Sequence, residues 1–249
     1  MRPWLTSDAN EVTAIAALHH NRIIVCYSDN SLVVMELPTL DIIDLYPGSW
    51  LDRKSGDISV VQVDGPGEKN FTYIGTSEGV VLVLDVMEGS MRHCDFKLTW
   101  SDLGVGQCMM VSDIQVCPKD DRYLAISFAG GKGNQGAIVI FDLVKHKVHK
   151  NFKTAAVTTL EWNCTGEVLY AGTRLGEILS TGLEKTGTLC LWNAKVERCD
   201  EEDDDDVNED GDAAVTVRRL YWLAPQPNSP DGCLFAALGK NGYDFLTLF

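Results

Sequence analysis

Three glycine-centred patterns in this 249-residue sequence have the residue types and spacing of reactive or ligand-binding sites. Gly75-Thr76-Ser77-Glu78-Gly79 spells Gly-x-Ser-x-Gly, which in α/β-hydrolases places a nucleophilic serine on a sharp turn between a strand and a helix. Here the turn leads into Val80, Val81, Leu82, Val83 and Leu84, a β-branched run, and the matching turn of a later repeat carries Arg174 where Ser77 stands. The expected structure is a plain hairpin turn, with an enzyme acting through Ser77 as the rival. Gly131-Lys132-Gly133-Asn134-Gln135-Gly136 fits Gly-x-Gly-x-x-Gly. A dinucleotide site needs that loop to open a helix whose N-terminus holds the pyrophosphate, but Ala137, Ile138, Val139, Ile140 and Phe141 read as a strand. The kinase version also needs Val-Ala-Ile-Lys, His-Arg-Asp and Asp-Phe-Gly downstream, and none occurs in the sequence.

Asp206-Val207-Asn208-Glu209-Asp210-Gly211 matches the first half of a calcium loop, with oxygen donors at positions 1, 3 and 5 and the turn glycine at 6. Position 12, which calls for a bidentate glutamate, is Val217. So many like charges repel and resist burial, so residues 199–213 are expected to be a solvated, disordered loop. Its carboxylates Asp203, Asp204, Asp205, Asp206, Glu209 and Asp210 are the candidate docking residues for a basic partner. The histidines His19, His20, His93, His146 and His149 lack carboxylates or thiols at metal-ligand spacing. No catalytic, cofactor-binding or metal-binding residue is assigned.

The elements that must carry these loops are strands. Short apolar runs recur every 8–12 residues between Gly, Asp, Asn, Ser and Pro, and long helical periodicity is missing. Units begin with Val12-Thr13-Ala14-Ile15, Ile58-Ser59-Val60-Val61, Val111-Ser112-Asp113-Ile114, Val157-Thr158-Thr159-Leu160 and Val215-Thr216-Val217-Arg218. These starts near residues 12, 58, 111, 157 and 215 have the spacing of propeller blades with long loops. Third strands end in an apolar–polar pair: Met35-Glu36, Leu84-Asp85, Phe141-Asp142 and Trp192-Asn193. Tyr73-Ile74-Gly75-Thr76-Ser77-Glu78-Gly79 is echoed by Tyr170-Ala171-Gly172-Thr173-Arg174-Leu175-Gly176, whose glycines suit a tight turn needing positive φ. Trp100, Trp162 and Trp222 are expected in blade cores. Residues 145–150, alternating Lys and His, suggest an exposed outer strand.

The fold expected is therefore all-β, a WD-repeat-like propeller of four full blades and a fifth that stops on its third strand. Because a propeller removes strand edges by closing its ring, the chain is expected to be part of a larger, seven-bladed propeller.

Composition narrows the partners. Lys+Arg 21 against Asp+Glu 36 gives −15, yet ten of the acids lie within residues 200–212; without them 26 acids face 21 bases. A basic surface for nucleic acid or anionic membranes is absent from this balance. No run approaches a membrane-spanning length, and the start lacks the form of a signal peptide. The eight cysteines include no Cys-x-x-Cys pair, and Cys26, Cys190 and Cys233 sit in apolar runs, which reads as a reduced, cytoplasmic protein.

Several segments carry a family resemblance. They are residues 73–79 with Val81 and Val83; Phe96-Lys97-Leu98-Thr99-Trp100; Val111-Ser112-Asp113-Ile114 with Pro118, Asp121 and Leu124; Gly136 through Leu143; and Leu234-Phe235, Gly239, Tyr243-Asp244 and Leu246-Thr247-Leu248. From Ile58 onward the chain resembles the N-terminal propeller of the lethal giant larvae/tomosyn family of syntaxin-binding WD-repeat proteins, with residues 1–57 similar only in general pattern. The sequence departs from the family at Leu238, where one glycine of a pair would stand, and over residues 182–188, which lengthen a strand connection. The resemblance implies a non-enzymatic regulator of exocytosis and cell polarity, working without a cofactor. Its partners would be syntaxin-type SNAREs, and it would be cytoplasmic with peripheral plasma-membrane association through those partners. The other reading from the residues is a generic WD-repeat scaffold whose acidic loop docks a basic protein.

Overall fold

A computed structural model describes residues 11–18, 21–63, 71–87, 90–99, 101–103, 105, 109–130, 134–183, 190–192, 217–223, 233–238 and 244–247. Among them, nineteen strands form five antiparallel sheets in which neighbours in the chain are neighbours in the sheet. Sheet 1 holds β1 (Val12–Leu18), β2 (Arg22–Tyr27), β3 (Leu32–Glu36) and β4 (Asp41–Tyr46). Sheet 2 holds β5 (Ile58–Val63), β6 (Phe71–Thr76), β7 (Val81–Met87) and β8 (Ser90–Leu98). Sheet 3 holds β9 (Met109–Val116), β10 (Tyr123–Gly130), β11 (Gln135–Asp142) and β12 (Lys147–Ala155). Sheet 4 holds β13 (Val157–Trp162), β14 (Val168–Thr173), β15 (Ile178–Gly182) and β16 (Cys190–Trp192). Sheet 5 holds β17 (Val217–Leu223), β18 (Cys233–Leu238) and β19 (Asp244–Thr247). The first strands touch in succession, β1 to β5 to β9 to β13 to β17, so each sheet is a blade with its first strand innermost. This is a β-propeller arrangement of four four-stranded blades and a three-stranded fifth.

Strand alternation explains why the middle strands read as continuous apolar runs. Successive side chains point to opposite faces, and both faces of these blades are covered. In β10, Leu124, Ile126 and Phe128 join the core shared with sheet 2, while Tyr123 and Ala125 join the core shared with sheet 4. Tyr73 and Ile74 divide in the same way between the cores on either side of sheet 2. Each fully buried Leu, Ile or Phe contributes about 1.5–3 kcal/mol relative to exposure.

The repeat is sharpest where blades meet. Every first strand carries a β-bulge at the same place, which leaves Thr13, Ser59, Ser112, Thr158 and Arg218 out of the pairing register. Two of these hydroxyls bond to the next blade: Ser59 Oγ donates to the Val111 carbonyl at 2.6 Å, and Thr158 Oγ1 donates to the Val217 carbonyl. Pairing with the residue after each bulge are Cys26, Gly75, Ser127, Gly172 and Ala237, all small. The reason is visible at two of them. A Cβ on Gly75 would lie 2.4 Å from Val111 Cγ1, and one on Gly172 would lie 2.4 Å from Val217 Cγ1. In the echoed motif, then, only the second glycine serves the turn, Gly79 at φ +71° and Gly176 at φ +77°. The first makes room for the next blade's valine. By the same register the fifth unit begins with Val217-Arg218-Arg219-Leu220, two residues later than the sequence pattern suggests.

Polar links cross the same junctions. Asp113 Oδ2 accepts from the Leu160 N–H at 2.7 Å and its Oδ1 from the Ile114 N–H at 2.8 Å. One blade on, Thr159 Oγ1 accepts from the Leu220 N–H at 3.4 Å. Burial pushes the Asp113 carboxyl up to about 6, against the opposing pull of the Leu160 and Ile114 N–H groups, the Arg219 charge and Thr159.

Other sequence expectations fall on described side chains. Trp162 is buried in the core between sheets 3 and 4, while the side chains of Trp100 and Trp222 lie outside the described residues. Cys26 is fully buried and its thiol is pushed up to about 12 by burial, which makes it an inert core residue. Asp142, at the end of β11, accepts from the Val144 and Lys145 N–H groups and so shapes the turn into β12. The 145–150 segment is a correction: only part of it is exposed. Lys150 is buried with Nζ donating to the Gly182 carbonyl at 2.6 Å, and His149 packs on Tyr123 with ring centroids 5.0 Å apart while its Nε2 meets the Leu183 carbonyl. The outer strand of blade 3 leans on blade 4, which the lysine–histidine alternation does not convey.

Two tests follow from the junctions. Gly75→Ala and Gly172→Ala each lower stability by about 1–3 kcal/mol through overpacking, whereas Gly182→Ala, whose nearest new contact is 3.6 Å away, leaves the urea midpoint within experimental scatter. For Asp113, the raised folded-state value means the fold binds the proton more tightly than the unfolded chain. Its contribution is therefore full below about pH 4 and is lost as pH rises through about 6, a change on the order of 3 kcal/mol. Thermal melts from pH 4 to 7 show this as a slope that Asp113→Asn removes.

Candidate functional site

Loops at the junction of blades 1 and 2 enclose a groove of about 440 Å³ lined by Asp29, Asn30, Asp52, Arg53 and Asp57 among others. Asp29 and Asn30 lie in the turn between β2 and β3; the rest come from the connection between β4 and β5, which contains two 3₁₀ turns, Gly48–Trp50 and Arg53–Ser55. Asn30 holds these segments together. Its Oδ1 accepts from the Ile58 N–H at 2.8 Å, its Nδ2 donates to Asp57 Oδ1 at 3.0 Å, and its carbonyl accepts from Trp50 Nε1 at 2.9 Å. Asp52 caps the second 3₁₀ turn through the Lys54 N–H, and Asp29 Oδ1 accepts from the Ser31 N–H. Close packing fixes the walls, since a Cβ on Gly48 would lie 1.8 Å from the Asp29 carbonyl oxygen.

Three carboxylates against the single guanidinium of Arg53 give the groove a net negative lining. Carboxylates make charge-assisted hydrogen bonds with ammonium and guanidinium groups, so a lining of this sign suits such a group from a partner. The sequence reading did not single out these residues, because they are ordinary turn types in three separate stretches. The available signal was the Asp29-Asn30 turn and the Asp52-Arg53-Lys54-Ser55-Gly56-Asp57 run between the first two units.

The motifs that resemble catalytic sites take structural roles. Ser77 sits in the turn from β6 to β7, with a strand following where the hydrolase elbow needs a helix. Its Oγ accepts from the Asp57 N–H at 2.9 Å, and its own N–H donates to the Asp57 carbonyl at 2.8 Å. Gly136 belongs to β11, where a Cβ would lie 2.2 Å from the Ala155 carbonyl oxygen, so the 131–136 pattern opens a strand; residues 131–133 lie outside the described residues. The carboxylates Asp203, Asp204, Asp205, Asp206, Glu209 and Asp210, and the calcium-like 206–211 pattern, also lie outside them. Among the described residues no group of three or more His, Cys, Asp or Glu is arranged to hold a metal ion. Nor is any helix among them long and apolar enough to cross a membrane.

No protein-family model and no curated protein sequence matches the chain. Solved structures do. The crystal structure of Chaetomium thermophilum Sqt1 superposes with a TM-score of 0.68 at 16% identity, covering 93% of this chain and 55% of that one. Chaetomium thermophilum Sqt1 bound to the N-terminus of the ribosomal protein L10 gives a TM-score of 0.68 at 17% identity, covering 93% and 58% respectively. The chain thus spans little more than half the length of these neighbours. At this identity the likeness speaks to fold, and it agrees with the blade-by-blade geometry: the chain is built of WD-repeat-type propeller blades.

Proposed function

We propose that this chain is a non-enzymatic docking scaffold that captures a positively charged segment of a partner protein. The observation that carries the reading is the placement of negative charge: ten acids within residues 200–212, including Asp203, Asp204, Asp205, Asp206, Glu209 and Asp210. The Asp29, Asp52 and Asp57 groove is a second, preformed acidic feature on the same chain. A dense acidic segment raises the local concentration of a basic partner and speeds encounter, in a manner that salt screens. A structural neighbour of the same fold was solved with a bound polypeptide terminus, the N-terminus of the ribosomal protein L10. That supports peptide capture as a use of these blades.

The lethal giant larvae/tomosyn resemblance offers the finer alternative of a syntaxin-type SNARE as partner, with exocytosis and polarity as the setting. It rests on the matched residues from Ile58 onward, and the structural neighbours favour the scaffold reading over it.

Fluorescence anisotropy with a labelled Lys/Arg-rich peptide tests the proposal. Deleting residues 200–212 weakens binding at least tenfold and flattens its salt dependence, and Asp52→Asn weakens it by a smaller factor. Equal binding by the deleted and intact chains overturns the reading. Retained capture of a syntaxin cytoplasmic domain by a chain that ignores the basic peptide points to the alternative.

A further inference from the structure

A groove of about 510 Å³ lies where blade 3 meets the connection from blade 2, lined by Val105, Met109, Gln135, Ala137, Asn151 and Lys153 among others. That size suits a small organic ligand. Both walls are braced. In the connection from β8 to β9, Asp102 Oδ2 accepts from the Thr99 N–H at 2.8 Å and from the Thr99 hydroxyl at 2.6 Å. The Leu103 N–H closes the same turn onto the Thr99 carbonyl at 3.1 Å. Leu103 is fully buried, and its carbonyl accepts from Asn151 Nδ2 of β12 at 3.2 Å, which ties the connection to the opposite wall. On that wall β11 and β12 pair Ala137 with Lys153 and Val139 with Asn151. Strand alternation sets all four on one face, the face whose Ala137 and Val139 join the core shared with sheet 2.

The lining divides by chemistry. Val105, Met109 and Ala137, all buried, supply an apolar side. The Gln135 and Asn151 amides and the Lys153 ammonium supply a polar one, and none of the lining residues is acidic. Lys153 differs from its neighbours in a chain of net charge −15. Lys119 and Lys145 pair with Glu167 and Asp142, and Lys150 donates to the Gly182 carbonyl. Lys153 is exposed and makes no ion pair among the described residues. An unpaired ammonium beside apolar surface matches an anion carried on an apolar body, since the charge-assisted bond fixes the head and the buried area holds the rest.

We propose that this groove binds a small amphipathic anion, an aromatic or aliphatic body bearing one carboxylate or phosphate group. Lys153 Nζ meets the anionic head, the Gln135 amide donates beside it, and the body lies on Val105, Met109 and Ala137. The site is separate from the acidic groove of blades 1 and 2 and opposite to it in sign, so neither reading depends on the other.

Fluorescence titration of the full chain with anilinonaphthalene sulfonate, an aromatic body with one negative charge, tests it. Saturable binding is expected, at least tenfold weaker in Lys153→Glu. Lys147→Glu, at an exposed lysine of the same strand outside the groove, stays within twofold of wild type. Phenylnaphthylamine, the uncharged counterpart, does not distinguish Lys153→Glu from wild type. Octanoate and phenyl phosphate separate the two head groups: displacement of the probe by either supports the site, and the tighter one names its anion. Absence of saturable binding overturns the proposal, as does equal binding by wild type and Lys153→Glu. An equal loss in Lys147→Glu, an equal loss for the uncharged probe, or failure of both anions to displace the charged one overturns it too.

Discussion

Close approach between the second strand of one blade and the first strand of the next sets the rest of this structure. Where Gly75 faces Val111 and Gly172 faces Val217, even one methyl group has no room. The apolar pair of each incoming strand can be buried only because the facing position is small, and burial of that pair supplies much of the cohesion between blades. The bulge beside it serves the same contact by turning a hydroxyl toward a neighbouring carbonyl, as Ser59 does toward Val111. Small facing residue and bulge recur in every sheet, and a hydroxyl joins them at two junctions, from Ser59 and from Thr158.

With cohesion concentrated in strands, the connections are left to vary. The 47–57 connection folds into two 3₁₀ turns braced by Asn30 and leaves three carboxylates around a groove. The 193–216 connection carries ten acids that a packed blade has no use for. The exposed side chains of Asp29, Asp52 and Asp57 keep their charge in water at little cost, and loops of this kind are where a scaffold's recognition chemistry can change without disturbing the blades. Inside the junctions polar groups follow the opposite rule. Asp113 keeps its place at the cost of an elevated carboxyl pKa because it answers the backbone N–H groups of Leu160 and Ile114.

Much of the fold was legible in advance because its main signal is local. Strand length, β-branched residues and the recurring Val-Ser/Thr starts are visible along the chain, and they led to four complete blades and a shorter fifth. The Gly75–Gly79 motif was also readable as a hairpin turn, since the run after Gly79 is a strand whatever its neighbours do. The site was much less legible. Asp29, Asp52 and Asp57 lie in separate turns, and nothing in their spacing says that Asn30 ties the segments together.

By itself the sequence determined the element type, the repeat and the sign and location of the surplus charge, because each depends on residues close in the chain. Tertiary structure decided what those residues are for. It showed that Gly75 and Gly172 are small for the sake of a valine from the next blade, while Gly79 and Gly176 serve the turn. It moved the fifth unit to Val217 and buried Lys150 against Gly182. These are facts of contact between blades tens of residues apart, and a local pattern of residue types carries no record of what stands across the gap.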